Sequence, residues 1–236
     1  MKIALLGYGK MGKAIEALAL TRGHEVVARI DLNNAADIAE INKADVAIEF
    51  SQPDAVVNNL LSCFKQHVPV VCGTTGWLNK KTEVEEACKQ YDGTFFYASN
   101  YSLGVNLFFK LNEYLAEMMN SQENYEVSID EVHHTAKKDA PSGTAITLAE
   151  SIIRLLDRKK KWSDQANAKG DNLVISSSRI DPTPGTHTVK YTSAIDDIEI
   201  RHVAHSREGF AIGALMVAEW IQGKKGVLGM SDFFKG

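Results

Sequence analysis

The feature of this sequence that most restricts its fold is a glycine-rich turn close to the first residue. Residues 7–12 read Gly-Tyr-Gly-Lys-Met-Gly, and they directly follow Lys2–Leu6, an apolar run typical of a buried strand. A stretch with helical spacing follows at 13–20, and a second strand-like run, Glu25–Ile30, ends at Asp31. A strand, a G-x-G-x-x-G turn, a helix and a strand with an acidic end together indicate a dinucleotide-binding βαβ unit.

The glycines and the acidic residue have separate roles in such a unit. Gly7 permits the tight turn, Gly9 lets a pyrophosphate approach the backbone, and Gly12 lets the helix pack closely against the strand. Asp31 is placed to accept hydrogen bonds from a ribose 2′-hydroxyl and to repel a 2′-phosphate. A tight glycine turn without a ligand is the alternative, but the register of strand, helix and Asp31 favours dinucleotide binding.

The identity of the dinucleotide depends on the charges near Asp31. The residues directly after it, 32–34, carry no cation that could hold a 2′-phosphate. Lys10, Lys13 or Arg29 could compensate for that lack, so NADPH stays open as a second possibility. We therefore expect NADH or NADPH as the cofactor, with NADH favoured.

Further strand-like runs alternate with helical stretches through the first half of the chain, at 44–50, 68–72 and 94–98. Ser51 is the expected N-cap of the helix after the first of these runs. The alternation predicts a parallel sheet of the Rossmann type, in which ligands bind at the carboxyl ends of the strands. Each loop at such an end is, taken alone, more often only a turn. The residues expected to contact the cofactor are Gly7, Tyr8, Gly9, Lys10, Met11, Gly12, Asp31, Gly73, Thr74, Thr75, Ala98, Ser99, Asn100 and Tyr101.

The pattern changes in the second half of the chain. Strand-like runs at 173–179, 186–192 and 197–205 follow one another without helices, which favours a mostly antiparallel open sheet. The charged stretch 157–171 is interpreted as a solvated connection. The sequence thus predicts a dinucleotide-binding domain over 1–104, completed by 208–236, and an inserted α+β substrate and oligomerisation domain over 105–207.

A cationic stretch lies between a strand-like run and a helix in this second half. Residues 131–145 read Glu-Val-His-His-Thr-Ala-Lys-Lys-Asp-Ala-Pro-Ser-Gly-Thr-Ala, with Ser142 as the expected N-cap of the helix. The free backbone N–H groups of Gly143 and Thr144, the helix dipole and one of two adjacent lysines would favour an anion there. The alternative is a solvated turn with surface histidines. The adjacent His133 and His134 point to opposite faces of a strand, so we expect no metal site.

Composition excludes several classes of function. The net charge of −4 favours neither nucleic acid nor an acidic membrane surface as a partner. No apolar run approaches about 20 residues, so no transmembrane helix is expected. The N-terminal apolar run lacks a cleavage site, and the three cysteines lack metal-ligand spacing. We therefore expect a cytoplasmic globular protein.

The stretch 131–145 is similar to the long signature E-x-H-H-x-x-K-x-D-A-P-S-G-T-A. With segments 73–76, 99–106 and 201–207 in matching order, nearly the whole chain resembles the dihydrodipicolinate reductase family, also called 4-hydroxy-tetrahydrodipicolinate reductase. One departure is the compact glycine turn, since many members carry an extra glycine. The resemblance implies a tetrameric enzyme of lysine and diaminopimelate biosynthesis, which reduces a cyclic imine dicarboxylate to tetrahydrodipicolinate with NADH or NADPH.

The resemblance also implies roles for individual residues. His133 would be the general acid/base, and Lys137 a proton donor and anion partner. The residues that would hold the substrate carboxylates are His134, Lys137, Ser142, Gly143 and Thr144. Arg207 would add a further cation, with a surface arginine as the alternative.

Two other functions remain open at this point. One is a related NAD-dependent oxidoreductase that acts on another small anionic substrate, and the other is a non-catalytic nucleotide-sensing module. Neither accounts for the long signature.

Overall fold

The computed structural model describes residues 1–206 and 208–235, and the chain divides into two compact units. The first unit comprises Met1–Leu103 and Glu208–Gly236, and the second comprises Gly104–Arg207. Arg207, the additional cation suggested by the resemblance, lies outside the described residues, as does Gly236.

Strands and helices alternate through the first hundred residues. In chain order these elements are β1 (Lys2–Leu6), α1 (Lys10–Thr21), β2 (Glu25–Ile30), a 3₁₀ segment (Leu32–Lys43), β3 (Val46–Glu49), α2 (Pro53–Lys65), β4 (Val70–Cys72), a 3₁₀ turn (Leu78–Lys80), α3 (Lys81–Gln90) and β5 (Thr94–Tyr97).

The second unit is built mainly from strands, and the chain then returns to the first unit. The next elements are α4 (Leu103–Met119), β6 (Glu126–His133), α5 (Gly143–Leu155), β7 (Lys161–Ser163), β8 (Asn172–Arg179), β9 (Gly185–Thr192) and β10 (Asp197–Ala204). The returning segment forms α6 (Glu208–Trp220), β11 (Gly226–Leu228) and α7 (Met230–Phe233).

The sheet of the first unit has six strands in the order β11-β5-β4-β3-β1-β2, and every pairing is parallel. Helices cover both faces, so β3 and β4 are buried throughout and read as continuous apolar runs. The predicted Rossmann-type sheet is confirmed. The pattern did not reveal β11, because three partly exposed residues at a sheet edge show no periodicity.

The sheet of the second unit has five strands in the order β10-β9-β6-β8-β7. The β10–β9 and β9–β6 pairings are antiparallel, whereas β6–β8 and β8–β7 are parallel. The α+β class is confirmed, but the sheet is mixed rather than mostly antiparallel. The reason is that α5 carries the chain from β6 back to parallel strands, one of which, β7, lies inside the charged stretch interpreted as a solvated connection.

One face of this second sheet carries the core of the unit. Strand β6 alternates, with Val127 and Ile129 buried against side chains of α4 and α5. The next two residues on the same face are Glu131 and His133, which are also buried. The strand therefore extends its core-facing row directly into a pair of ionisable side chains.

One local detail of the first unit corrects an expectation from the sequence. The N-cap of α2 is Gln52 and not Ser51, whose hydroxyl instead donates a hydrogen bond to the buried carboxylate of Glu49. All three cysteines are free and buried, and the Cys72 thiol donates a hydrogen bond to Glu49 Oε2 at 3.3 Å. None of the helices in the described part of the chain is long and apolar enough to cross a bilayer.

Candidate active site

The glycine turn after β1 is shaped by close backbone contacts. Gly7 has a φ of +92°, and a Cβ atom on it would lie 2.0 Å from the carbonyl oxygen of Phe50. A Cβ on Gly12 would lie 2.4 Å from the carbonyl oxygen of Gly7. A Cβ on Gly9, by contrast, would have no atom within 4 Å. Two glycines thus let the turn and helix form, and the third leaves open space over the N-terminus of α1, as a bound pyrophosphate requires.

Two adjoining cavities lie beside this turn. The first measures about 250 Å³, and the second about 430 Å³. Of the residues predicted to contact a cofactor, Gly7, Tyr8, Gly9 and Asp31 line the first cavity. Those that line the second are Gly9, Lys10, Met11, Gly73, Thr74 and Thr75. Together the cavities fall in the size range of cofactor sites.

The predicted residues at the end of β5 are not brought into either cavity. Tyr101 is buried in the core, and its hydroxyl donates to the carbonyl oxygen of Cys72 at 2.7 Å. Ala98 is also buried, and the Asn100 side chain accepts from the backbone N–H of Ser102. The assignment of 98–101 to the cofactor, Ser99 included, stays a prediction.

Glu49 supports the wall of the first cavity, and the sequence pattern did not reveal it. Its carboxylate is fully buried at the end of β3. It accepts hydrogen bonds from the backbone N–H of Ser51 at 3.2 Å and from the side-chain amide of Asn59 at 3.3 Å, and both of those residues line the cavity. A single acidic residue at the end of an apolar run does not indicate, by its spacing alone, that its carboxylate is buried beside a ligand cavity.

The charges around the first cavity bear on the choice of dinucleotide. Asp31 is exposed at its edge, and no lysine or arginine is among the residues that line it. Arg29 is engaged elsewhere, because its guanidinium pairs with Glu16. The cation needed for a 2′-phosphate is therefore absent from the described lining of this cavity.

A second cluster lies in the other unit, across three neighbouring strands. In the register of the sheet, Glu131 on β6 lies opposite His187 on β9 and Ser177 on β8. His133, two residues further along the same face, lies opposite Arg179. We call these residues, together with Ser142 at the start of α5, the carboxylate cluster.

The Glu131 side chain is almost completely buried, at 1% exposure, and its two oxygens have different partners. Oε1 accepts from the backbone N–H of Ser142 at 3.1 Å, from the Ser177 hydroxyl at 2.7 Å and from Arg179 Nη2 at 3.3 Å. Burial raises the pKa of Glu131, but hydrogen bonds from the two serines and the nearby His133 outweigh burial and hold it below its usual value. The group is therefore a buried carboxylate at neutral pH.

His133 lies beside the other oxygen of that carboxylate. Its Nδ1 is 2.8 Å from Glu131 Oε2, a close electrostatic contact in which the ring N–H is not fully aligned on the oxygen. Burial lowers the pKa of His133, Glu131 opposes that effect, and Lys137 and Arg179 reinforce it, so the pKa lies below the usual 6.5. Since Nδ1 faces the carboxylate, Nε2 is the ring nitrogen left for a ligand.

His187 is a member of the cluster that sequence reasoning did not find. Its ring packs edge-on against His133, with ring centroids 5.1 Å apart, and its Nε2 is 3.0 Å from the Ser142 hydroxyl. Burial and the neighbouring His133 lower the pKa of His187 to about 4, so the ring is neutral at pH 7. His187 reaches the site because β9 pairs with β6 in this register. A single histidine in a strand-like run does not indicate which residue of another strand lies opposite it.

The loop between β6 and α5 holds Lys137 next to this cluster. Lys137 Nζ pairs with both carboxylate oxygens of Asp139, at 2.8 and 2.9 Å. Arg179 also fixes the loop, because it donates hydrogen bonds to the backbone carbonyl oxygens of Lys137 at 3.4 Å and Asp139 at 2.6 Å. The adjacent Lys138 is exposed. The loop thus presents one cation at a fixed position.

The start of α5 has the geometry of an anion site. Ser142 is the N-cap, as predicted, and its hydroxyl accepts from the backbone N–H of Ala145 at 3.2 Å. Gly143 and Thr144 occupy the first turn, where backbone N–H groups have no acceptor within the helix. A Cβ on Gly143 would meet no atom within 4 Å, so the space in front of this turn is open. His134 is half-buried at the end of β6.

Glu131, His133 and His187 also meet the distance requirement for a metal-binding trio, since one donor atom of each lies within 4.8 Å of the others. The 2.8 Å between Glu131 Oε2 and His133 Nδ1 is shorter than the separation of about 3.3 Å that two ligands of one tetrahedral zinc ion keep. The distance therefore indicates a direct contact between carboxylate and imidazole rather than two ligands of one zinc ion. The expectation of no metal rested on the His133–His134 pair alone and did not consider this trio.

Two family models together match most of the chain. The model described as the N-terminus of dihydrodipicolinate reductase matches residues 1–101, and the one described as its C-terminus matches residues 104–234. The border between the two matches falls where the two compact units divide.

Individual relatives give the same result. A 4-hydroxy-tetrahydrodipicolinate reductase of Christiangramia forsetii is 48% identical over 233 residues, which cover 98% of this chain and 97% of the relative. One of Caldanaerobacter subterraneus is 35% identical over 243 residues, covering 96% and 95%. Among solved structures, a dipicolinate-bound dihydrodipicolinate reductase from a Paenisporosarcina species has a TM-score of 0.81 over 97% of each chain. At 22% identity, that likeness concerns the fold.

Proposed function

The chain belongs to the dihydrodipicolinate reductase family, and from that premise we propose which of its residues carry the reaction. The protein is an NAD(P)H-dependent oxidoreductase of lysine and diaminopimelate biosynthesis. In our proposal His133 and Lys137 act on the substrate, and the glycine turn of the first unit holds the cofactor. The observation that carries this assignment is the convergence of His133, Lys137 and the start of α5 in the second unit.

The cofactor is assigned to the two cavities beside the glycine turn. The open space over Gly9 and the free N–H groups at the start of α1 suit a pyrophosphate, and Asp31 suits a ribose hydroxyl. When bound, the reduced nicotinamide supplies the hydride. Gly73, Thr74 and Thr75 in the second cavity are the residues we expect to contact the rest of the dinucleotide.

The substrate is assigned to the loop and helix that follow β6. A flat ring with two carboxylates needs a cation and backbone donors at fixed positions. Lys137 supplies the cation, and Gly143 and Thr144 supply N–H groups at the positive end of α5. Asp139 holds Lys137 before the substrate arrives, and the substrate carboxylate then takes a place on the same ammonium group. His134 and the Ser142 hydroxyl complete the proposed carboxylate site.

Proton delivery is assigned to His133. Hydride addition to a conjugated imine leaves negative charge on the ring, and an acid must stand close by to neutralise it. His133 is buried, points Nδ1 at a carboxylate and has Nε2 left to face a substrate. Lys137 is the second candidate donor, and its contact with the substrate carboxylates would bring it near the same ring.

A coupled assay tests the proposed function directly. Purified protein is mixed with pyruvate, aspartate semialdehyde and the upstream synthase, and the reduced-nicotinamide absorbance is followed with NADH and NADPH in separate cuvettes. We expect decay that depends on the synthase and is faster with NADH, because the first cavity presents Asp31 and no cation. Protein that is folded and binds NADH, yet produces no decay with either nucleotide, would contradict the proposal.

The role of Asp31 is tested in the same assay. Replacing Asp31 by serine removes the charge that repels a 2′-phosphate, so the ratio of kcat/KM for NADPH to that for NADH should rise about tenfold. Asp37→Ser is the matched control, because Asp37 is exposed in the same 3₁₀ segment and does not line the cavity. An equal ratio in wild type and Asp31→Ser would remove Asp31 from cofactor selection.

We also propose that the enzyme is a homotetramer in the cytoplasm. Helices α4 and α5 pack on one face of the second sheet, and on the other face of β6 Glu126 and Asp130 are exposed. On that other face Val203 of edge strand β10 is exposed, and Ile195 is exposed just before the strand begins. This surface is the one we assign to contacts between copies, and sedimentation equilibrium should give about four times the chain mass of 26.0 kDa. A mass equal to one chain would contradict the assignment.

A further inference from the structure

We propose that Glu131 is a positioning residue, which holds the His133 ring by Nδ1 so that Nε2 is the atom that delivers the proton to the substrate. The inference rests on the proposed role of His133. In the step itself, the Nε2–H bond breaks and a C–H bond of the product ring forms. The electron pair of the broken bond stays on Nε2, and the imidazole is left neutral with its proton on Nδ1. Water then returns a proton to Nε2 before the next turnover.

The two oxygens of Glu131 have separate tasks, and that division carries the proposal. Three donors bind Oε1, namely Ser142 at the start of α5 and both Ser177 and Arg179 on β8. They fix the carboxylate in place and leave Oε2 directed at the imidazoles. Oε2 is 2.8 Å from His133 Nδ1 and 3.9 Å from His187 Nε2, so its close contact is with His133.

A structural role alone does not explain this arrangement. Burying a carboxylate is unfavourable unless its oxygens are satisfied, and an uncharged side chain of the same shape would pack as well between β8 and β9. The carboxylate nevertheless places its second oxygen without an aligned hydrogen-bond donor, 2.8 Å from Nδ1 of His133. A buried carboxylate against Nδ1 is the arrangement that fixes a histidine tautomer and stabilises the imidazolium.

The charges around His133 come from every element packed against it. On its own strand Glu131 favours the protonated ring, and on the following loop Asp139 does so as well. Lys137 on that loop and Arg179 on β8 disfavour it. His187 on β9 is neutral at pH 7 and is itself influenced by His202 on β10. Glu131 is the nearest of the negative groups, so removing its charge should lower the pKa of His133 further.

The test compares three variants by their pH profiles. In wild type, kcat/KM falls as the pH rises through the His133 pKa, because the proton donor is lost. Glu131→Gln should move this limb to lower pH by about one unit and lower kcat about 10–100-fold. Glu131→Asp keeps the negative charge, so the pH of its limb and its kcat should both lie between those of Glu131→Gln and wild type. Glu150→Gln, a change of an exposed carboxylate on α5, should match wild type.

A second measurement observes the His133 ring in the wild-type protein and uses a variant only to assign its signal. In wild-type protein labelled with ¹⁵N-histidine, two-bond ¹H–¹⁵N spectra report which ring nitrogen carries the proton, and a His133→Asn sample assigns the signal. We expect neutral His133 to be protonated on Nδ1. Protonation on Nε2 instead, or an unshifted pH limb in folded Glu131→Gln, would overturn the proposal. The spectroscopic result does not depend on whether His133 is the acid. A failure of that role would show separately, as an active His133→Asn enzyme that keeps the same pH limb.

Discussion

Replacing Lys137 by alanine should lower kcat/KM for the dicarboxylate substrate about 10³-fold, while the Kd for NADH changes less than about twofold. The loss is expected because, in the proposed substrate site, Lys137 provides the positive charge for a substrate carboxylate, and Asp139 holds its ammonium at a fixed position. Cofactor binding should survive because the glycine turn belongs to the other unit. Steady-state kinetics with the upstream synthase and fluorescence titration of NADH measure the two quantities.

Lys138→Ala is the matched control for this experiment. Lys138 is the next residue, carries the same charge and is exposed, so its removal should leave kcat/KM within about twofold of wild type. A Lys137→Ala enzyme with unchanged turnover would exclude Lys137 from the mechanism. An equal loss in both variants would show that the loop needs its total charge rather than the ammonium held by Asp139.

Replacing His133 by asparagine should lower kcat about 10²–10⁴-fold, which is the range for loss of a general acid. The alkaline limb of the pH profile should disappear at the same time, because the group that titrates there is gone. That second result separates His133 from Lys137 as the proton donor. If the activity that remains still follows the same limb, another group donates the proton, and Lys137 becomes the leading candidate.

His67→Asn provides the control for the histidine exchange. His67 is exposed in the first unit at a φ of 55°, a left-handed conformation that asparagine also adopts readily. We expect wild-type kinetics and an unchanged melting temperature. The folding of His133→Asn should be checked by its melting temperature, since NADH binding would report only on the first unit.

The first unit could be predicted well from its sequence, because its signals are local. The glycine turn, the strands on either side of it and Asp31 all lie within about 30 consecutive residues, the length of a βαβ unit. The same holds for the start of α5. Ser142 directly precedes a run with helical spacing, which predicts that it is the N-cap. Ser51 shows the limit of such reasoning. Its hydroxyl donates a hydrogen bond to the buried Glu49 carboxylate and does not cap the helix.

The carboxylate cluster could be predicted only in part. His133 and Lys137 lie in one short stretch, so the resemblance to a known signature was enough to select them. His187 and Arg179 reach the site through the pairing of β6 with β9 and β8, and one strand's sequence does not state which residue of another strand lies opposite. The same lack of pairing information explains why the second sheet was expected to be mostly antiparallel.

The pairing of β6 on both sides has a consequence for how the enzyme matures. A shift of one residue in either ladder would turn Glu131 and His133 away from their neighbours, to the opposite face of the sheet. Enzyme activity therefore reports correct strand pairing. A chain that folds with a slipped strand keeps its secondary structure, but its Glu131 and His133 side chains lie on the wrong face of the sheet. In a refolding experiment, recovered activity would count correctly registered molecules, whereas circular dichroism would count the slipped ones as well.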